Sequence, residues 1–553
     1  MQRRILSLAV LAASVLPSSA PAQIATPRIA PEALGRVVPV PRPPRPGAAD
    51  RVVAPGALEA EGLTELAARL FAEEAALTEA GVLIEAVLEP RTDGLDAIRD
   101  RGFLRMAVAP DPLMIAFDGE RALGVAMEIA RELQGHLAGY PDAGRTPTVV
   151  VPTPMPRRDV ADSVDAGNTD FATLTVSTAD EVPGLAHTQA LIRDVEDVLV
   201  LGPALQGVET LDDMRGVPVY LAEGSRYVRN AQALNAERAA EGLAPLDLRF
   251  VDGRLDDYDL IEMVEVGLIP ATIATDFKGR FWSTVYPSIQ VREDLPLSDP
   301  ARIAWVVRAD NPELRAVLDD FAETAKEGTL LGNTVLKRYA SSADWITDIG
   351  ADDARVRIDE VGPVIARYAG EYAFDGDLLL AQAYQESRLD QGARSHVGAV
   401  GVMQVMPATA ADPAVGIPDI EDMESNVHAG VKYMRWLRDT FFDDEAIDPL
   451  DQTLLSLAAY NAGPGGVRRA QRRAAEMGLD PNVWFENVEV AIQQAVSREP
   501  AIYVRNIFKY YVSYRLLAEV EAEVDAAREA VIETLPGPDE AVAGGVGDGA
   551  VRR

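Results

Sequence analysis

Along this chain the spacing of apolar residues changes period, and each period predicts a type of element. Between Gly62 and Leu88, Leu63, Leu66, Ala67, Leu70 and Leu77 recur at helical spacing on an acidic background, which predicts an amphipathic helix. From Gly94 to about Ile349 short apolar strands alternate with helices: Leu104 to Ala109 as strand, Gly124 to Leu137 as helix, Thr148 to Val151 as strand. That rhythm predicts an α/β unit. Beyond a polar, acidic junction at Ser341 to Arg357 the period is helical throughout. Val427, Gly430, Val431, Met434 and Leu437 form one stripe, and Leu454, Leu457 and Ala458 another. Val488, Ala491, Ile492 and Ala495 make a third, and Tyr503, Ile507, Tyr510, Tyr511 and Tyr514 a fourth. All four are expected to be core. After about Ala526 the chain thins into Pro536-Gly537-Pro538 and the glycines of 544–549, a tail too poor in apolar residues to fold.

At the other end, Arg3 and Arg4 precede an apolar run from Ile5 to Leu16, followed by the small residues of Ala20-Pro21-Ala22. This describes a secretory signal peptide cut near Ala22. The run is too short to span a bilayer, and no later run is long enough, so an exported protein is expected. From Gln23 to Pro55 prolines crowd the chain, as in Val40-Pro41-Arg42-Pro43-Pro44-Arg45-Pro46, predicting an extended tether.

Composition narrows the chemistry. At 553 residues the chain needs several cores, and its 52 basic against 87 acidic residues give a net charge of -35. Phosphate contacts need clustered Lys and Arg, so no nucleic-acid partner is expected. Without cysteine there is no disulfide, thiol nucleophile or lipid-bearing cysteine. His136, His187, His396 and His428 show no pair at ligand spacing, so no metal and no cofactor is expected. His396 lies near Glu386 in sequence and reads as a surface residue.

The stretch Leu380 to Thr409 concentrates the candidate chemistry. Asp375-Gly376-Asp377 offers a helix start, and Leu379, Leu380, Ala383 and Tyr384 then put Glu386 on that helix's last turn. Gly392, Gly398 and Gly401 allow tight backbone before Val402-Met403-Gln404-Val405-Met406-Pro407. Two further segments offer polar groups to a groove. Ala458 to Gly466 ends a helix with Tyr460 and Asn461, and Glu499-Pro500 starts one that carries Tyr503. Taken singly, each of the three is an ordinary helix end or a buried tyrosine.

Together they resemble the family 1 soluble lytic murein transglycosylase catalytic domain, a lysozyme-like fold. That family carries a Glu-Ser pair, a Gly-Leu-Met-Gln turn, an Ala-Tyr-Asn-Ala-Gly segment and a Glu-Thr-x-x-Tyr-Val segment. Here these read Glu386-Ser387, Gly401-Val402-Met403-Gln404, Ala459 to Gly463 and Glu499 to Val504, with Val402 for leucine and Pro500 for threonine. The α/β unit is similar to family 3 extracellular solute-binding domains. Leu95-Asp96-Ala97-Ile98 to Arg105, Thr210 to Gly216, Leu260 to Gly267 and Ala304 to Arg308 match in register. In such domains an arginine after a Thr-x-Thr turn grips a ligand carboxylate. Here Thr175-Val176-Ser177-Thr178 is followed by Asp180 and Glu181, which argues against a free amino acid as ligand. Arg193 and Arg226 are other candidate grips.

The whole pattern resembles the lytic murein transglycosylase F type. The implied fold is multidomain, a two-lobed, periplasmic-binding-protein-like α/β domain followed by a mainly α lysozyme-like domain. The expected division is a signal peptide at 1–22, a disordered linker at 23–55, a helical lead-in at 56–93, the solute-binding-like domain at 94–349, the catalytic domain at 355–523 and a disordered tail at 524–553. The implied activity is cleavage of the MurNAc-GlcNAc bond of peptidoglycan, leaving 1,6-anhydro-MurNAc ends. Glu386 is the implied acid and base, its pKa raised by an apolar wall of Tyr384, Met403 and Met406. Ser387, Ser395, Met403, Gln404, Met406, Tyr460, Asn461, Glu499 and Tyr503 are the implied glycan-binding residues. The implied partners are glycan strands, with a muropeptide or stem peptide for the clamp. The implied location is the periplasm, peripheral to the outer membrane. A hydrolytic muramidase of the same fold and a non-catalytic peptidoglycan-binding protein are the alternatives.

Overall fold

The computed structural model describes residues 88–110, 114–118, 121–139, 148–177, 182–325 and 354–534. The expected signal peptide, the linker, most of the lead-in helix, Asp180 and Glu181 lie outside the described residues.

Helix α1 (Leu95–Arg101) stops at Gly102, whose positive φ returns the chain into strand β1 (Phe103–Val108). A hairpin of β2 (Ala116–Asp118) and β3 (Arg121–Leu123) leads to α2 (Val125–Ala138), then β4 (Val149–Pro154), α3 (Val160–Asp165) and β5 (Phe171–Ser177). Short strands β6 (Leu185–His187) and β7 (Ile192–Val195) follow. At Asp197 the chain crosses into a second sheet, made of β8 (Asp197–Leu201), β9 (Pro218–Ala222), β10 (Asp247–Val251), β11 (Ala271–Thr275) and β12 (Gln290–Pro296). Helices α4 (Arg226–Ala240), α5 (Asp257–Glu265) and α6 (Asp276–Ser283) connect its strands. Strand β13 (Ala301–Arg308) then returns to the first sheet and α7 (Pro312–Ala325) packs behind it. The strand orders β4-β1-β5-β13-β6 and β10-β9-β11-β8-β12 define two mixed α/β lobes joined by two crossings.

One device of the first lobe was invisible in the sequence. Arg105 is fully buried, pairs with buried Asp170 at 3.0 Å, and also donates to the carbonyls of Gly167 (2.8 Å) and Glu89 (2.9 Å). A buried guanidinium is tolerable when its donors are satisfied in this way, and the bond to Glu89 ties the end of the lead-in segment to the lobe.

The helical unit comprises α8 (Ala354–Tyr372), α9 (Gly376–Ser387), α10 (Pro407–Ala411), α11 (Met423–Leu437), α12 (Pro449–Ala462), α13 (Pro464–Glu476), α14 (Glu489–Ala495) and α15 (Glu499–Thr534). Its predicted stripes are buried, from Val427 to Leu437 on α11 and from Tyr503 to Tyr510 on α15, with Ala495, Tyr511 and Tyr514 partly exposed. Helix α15 continues to Thr534, past the expected end at 523. The extension contains Ala526, Ala527, Glu529, Ala530 and Glu533, all strong helix formers.

Candidate active site

The site begins at a helix end. The Asp375 side chain accepts from the amides of Asp377 and Leu378, capping α9 and fixing which residues its last turn presents. Arg388, in the left-handed conformation, ends the helix, so Glu386 stands on the final turn and is half-buried. Helix α9 packs along α15, which brings Tyr503 across a gap of 117 positions: its hydroxyl donates to Glu386 Oε1 at 2.6 Å. Burial, and next the Glu386 charge, push the Tyr503 phenol well above its usual pKa. The same two causes raise Tyr460. Both therefore remain neutral donors at any working pH.

The glycine-rich turn is a small β structure, with Val400 bridged to both Arg394 and Val405. It is stapled from three sides. Ser387 Oγ donates to the Val402 carbonyl at 2.8 Å, and Tyr460 Oη to the Met403 carbonyl at 2.8 Å. From below, buried Asn426 on α11 accepts from Met403 N (2.8 Å) and donates to Val400 O (2.8 Å), while Gln391 Oε1 accepts from Val402 N at 3.1 Å. Gly401 has φ +76, and a Cβ there would meet Asn426 at 2.6 Å, so this position requires glycine.

Not every candidate residue faces the same way. Met403 is fully buried over Gly430, while Met406 and Gln404 are partly exposed. The Gln404 amide turns inward to the Gly401 carbonyl at 2.9 Å, and Ser395 Oγ accepts from Ala399 N at 2.9 Å. Asn461 lies half-buried on the last turn of α12, and Glu499 is exposed at the start of α15. Tyr384, expected in the wall beside Glu386, packs its ring edge-on against Tyr510 and Tyr514. His396 is exposed, as expected. Asp390, the acidic neighbour nearest in sequence, is exposed and its carboxylate accepts from Gly392 N at 2.8 Å. Sequence reasoning missed Asn426 and Gln391. The signal for Asn426 was there, an amide four residues before Gly430 on an otherwise apolar stripe.

A second cavity, of 570 Å³, opens between the lobes and the helical unit. Its lining includes Arg157, Ser225, Arg226, Asp256, Thr275 and Glu486. Arg226 pairs with Asp197, and the Ser225 and Thr275 hydroxyls, at the starts of α4 and α6, have no partner among the described residues. Arg193 is exposed.

Residues 363–481 match the Transglycosylase SLT domain family. Tyr503 lies beyond that match and completes the site through α15. The described part of the chain is thus an SLT-type transglycosylase unit carried behind two α/β lobes. A "Membrane-bound lytic murein transglycosylase F" of Desulfosudis oleivorans is 30% identical over 378 residues, covering 67% of this chain and 78% of that protein. One of the same name from Ectopseudomonas mendocina is 26% identical over 480 residues, covering 82% and 92%. The chain belongs to the membrane-bound lytic murein transglycosylase F family. Among solved structures, an amino acid ABC transporter substrate-binding protein from Streptococcus pneumoniae bound to L-arginine aligns with 45% of this chain and 99% of its own, at 18% identity and a TM-score of 0.35. No helix among the described residues is long and apolar enough to cross a membrane.

Proposed function

We propose that the helical unit cleaves the MurNAc-GlcNAc bond of peptidoglycan with one carboxyl group, Glu386, and leaves a 1,6-anhydro-MurNAc end. The hydrogen bond from Tyr503 to Glu386 carries this reading, because it fixes one oxygen of the carboxyl on a donor that stays neutral. Most glycosidases that hydrolyse use two carboxylates. Here the neighbouring Asp390 is exposed and engaged with its own turn.

In the first step Glu386 gives its proton to the bridging oxygen and the C–O bond to MurNAc C1 breaks. The substrate's N-acetyl oxygen shares the positive charge that develops at C1. In the second step Glu386, now a carboxylate, takes the proton of the C6 hydroxyl while that oxygen bonds to C1. Neutral Tyr503 donates to Glu386 in both steps and stabilises the ionised form between them. The glycan-binding role assigned to Ser395, Gln404, Met406, Asn461 and Glu499 rests on the family resemblance. Ser387, Met403 and Tyr460 support the glycine turn as well. Glu386→Gln is expected to abolish muropeptide release while sacculus binding persists; undiminished release would remove Glu386 from this role.

The lobes are proposed to position or regulate the enzyme by taking a muropeptide or stem peptide into the interlobe cavity. What favours this is the contact between helix α5, whose Asp257 and Leu260 line that cavity, and the catalytic helix. Arg505, two residues from Tyr503, reaches Asp259 of α5 at 2.7 Å, and Lys509 reaches Glu262 at 2.6 Å. The relatives are named as membrane-bound; for this chain we place the protein in the periplasm, exported by the 1–22 segment and peripheral to the outer membrane.

A further inference from the structure

Helix α9 carries an amide where packing calls for a hydrocarbon. Gln382 lies one turn before Glu386, between Ala381 and Ala383, and all three are fully buried. Its Nε2 is 3.5 Å from the Tyr503 hydroxyl. Its Oε1 is buried and has no partner among the described residues. An unpaired buried acceptor is destabilising, and leucine or methionine would fill the same space without that cost. The group the amide does face is the phenol that bonds Glu386.

The order of donors follows from the atoms. A phenol oxygen carries one proton, and at 2.6 Å that proton is given to Glu386 Oε1, which as a carboxylate can only accept. The phenol oxygen is therefore the acceptor toward Gln382. The chain runs in one direction, from amide to phenol to carboxylate, and each donation polarises the next.

We infer that Gln382 is a positioning residue for the transglycosylase reaction, directing the Tyr503 proton onto Glu386. This rests on the reading of Glu386 as acid and base. The inference is separate from it, because Gln382 touches neither substrate nor reacting atoms. Donation to the ionised carboxyl favours that form, so the amide helps Glu386 release its proton in the first step.

The experiment compares full-length Gln382→Met, Gln382→Glu, Tyr503→Phe and the Gln382→Met/Tyr503→Phe double variant on soluble, uncrosslinked glycan strands, recording kcat and KM against pH. Methionine keeps the volume and removes the donor. Gln382→Met is expected to melt no lower than the wild type, to lose roughly threefold to tenfold in kcat with KM unchanged, and to move the basic limb of the kcat profile up by about half a pH unit. In the Tyr503→Phe background it is expected to change neither. A wild-type profile for Gln382→Met, or an equal loss with and without the phenol, overturns the inference. Gln382→Glu keeps the shape and makes the group an acceptor that competes for the phenol proton, so it is expected to lose more; a wild-type kcat and profile there overturn it too, even if the methionine variant fails to fold. Loss of activity in Glu386→Gln, measured alongside, reports on the catalytic reading separately.

Discussion

At the scale of single residues, the proposed site holds one carboxyl, Glu386, against a phenol. Tyr503→Phe removes a charge-assisted hydrogen bond, and a loss of roughly tenfold to a hundredfold in kcat is expected, read from initial rates of muropeptide release. Because both tyrosines are pushed far above neutral pH, neither is expected to contribute a limb to the pH-rate profile between pH 5 and 9. Glu386 was legible because a capped helix with regular apolar spacing leaves its last turn at a calculable position. Tyr503 was legible as a stripe residue and through the family motif. Its contact with Glu386 was not, since no local pattern reports a pairing across 117 positions. Gln382 was unread for a similar reason: an amide inside an apolar helix shows its purpose only once its partner is known.

At the scale of elements, the glycine turn depends on α11 beneath it. Met403 presses on Gly430, where a Cβ would lie 2.6 Å from the methionine side chain. Gly430→Ala is therefore expected to push the turn outward, costing roughly 1–3 kcal/mol in thermal or denaturant unfolding and lowering activity further than stability alone explains. Asn426→Leu leaves Met403 N unpaired and takes one of two donors from Val400 O, which keeps its bond from Val405 N, and a loss of about 1–3 kcal/mol is expected by the same measurement. The sequence shows that something tight happens at Gly398 and Gly401, because left-handed backbone is costly for other residues. It does not show where the turn's backbone bonds go, since those partners come from α9, α11 and α12. The strands and helices of the lobes fell close to their predicted limits: alternation and caps are local signals. Helix α15 runs past the expected domain limit at 523, because apolar content does not report how far helix propensity carries a helix.

At the scale of the molecule, three bodies meet at Asp256. It lies 3.4 Å from Arg157 of the first lobe and 3.9 Å from Arg505 of the helical unit. Burial raises its pKa to about 7, opposed by Arg157 and Arg505 and reinforced by Asp259 and Glu486. The folded form thus holds a proton that the unfolded chain, near 3.8, does not. Its contribution is fully present below the unfolded value and is lost as pH rises through about 7. Asp257 is opposite: burial raises it, but Lys278 and Arg157 outweigh burial and hold it at about 2, so its contribution is lost only as pH falls through that value. Asp256→Asn is expected to flatten the fall in melting temperature between pH 5 and pH 8, and an unchanged slope would argue against this assignment. None of this was legible in the sequence, where Asp256 was one acid among 87 acidic residues.

The central claim is that one carboxyl does the work of acid and base, with the sugar's own C6 oxygen in place of water. Mass spectrometry of sacculi digested in water enriched in oxygen-18 tests it directly. The account predicts muropeptides ending in 1,6-anhydro-MurNAc, one water lighter than the hydrolysed form and free of label. Reducing MurNAc ends carrying oxygen-18 would contradict it.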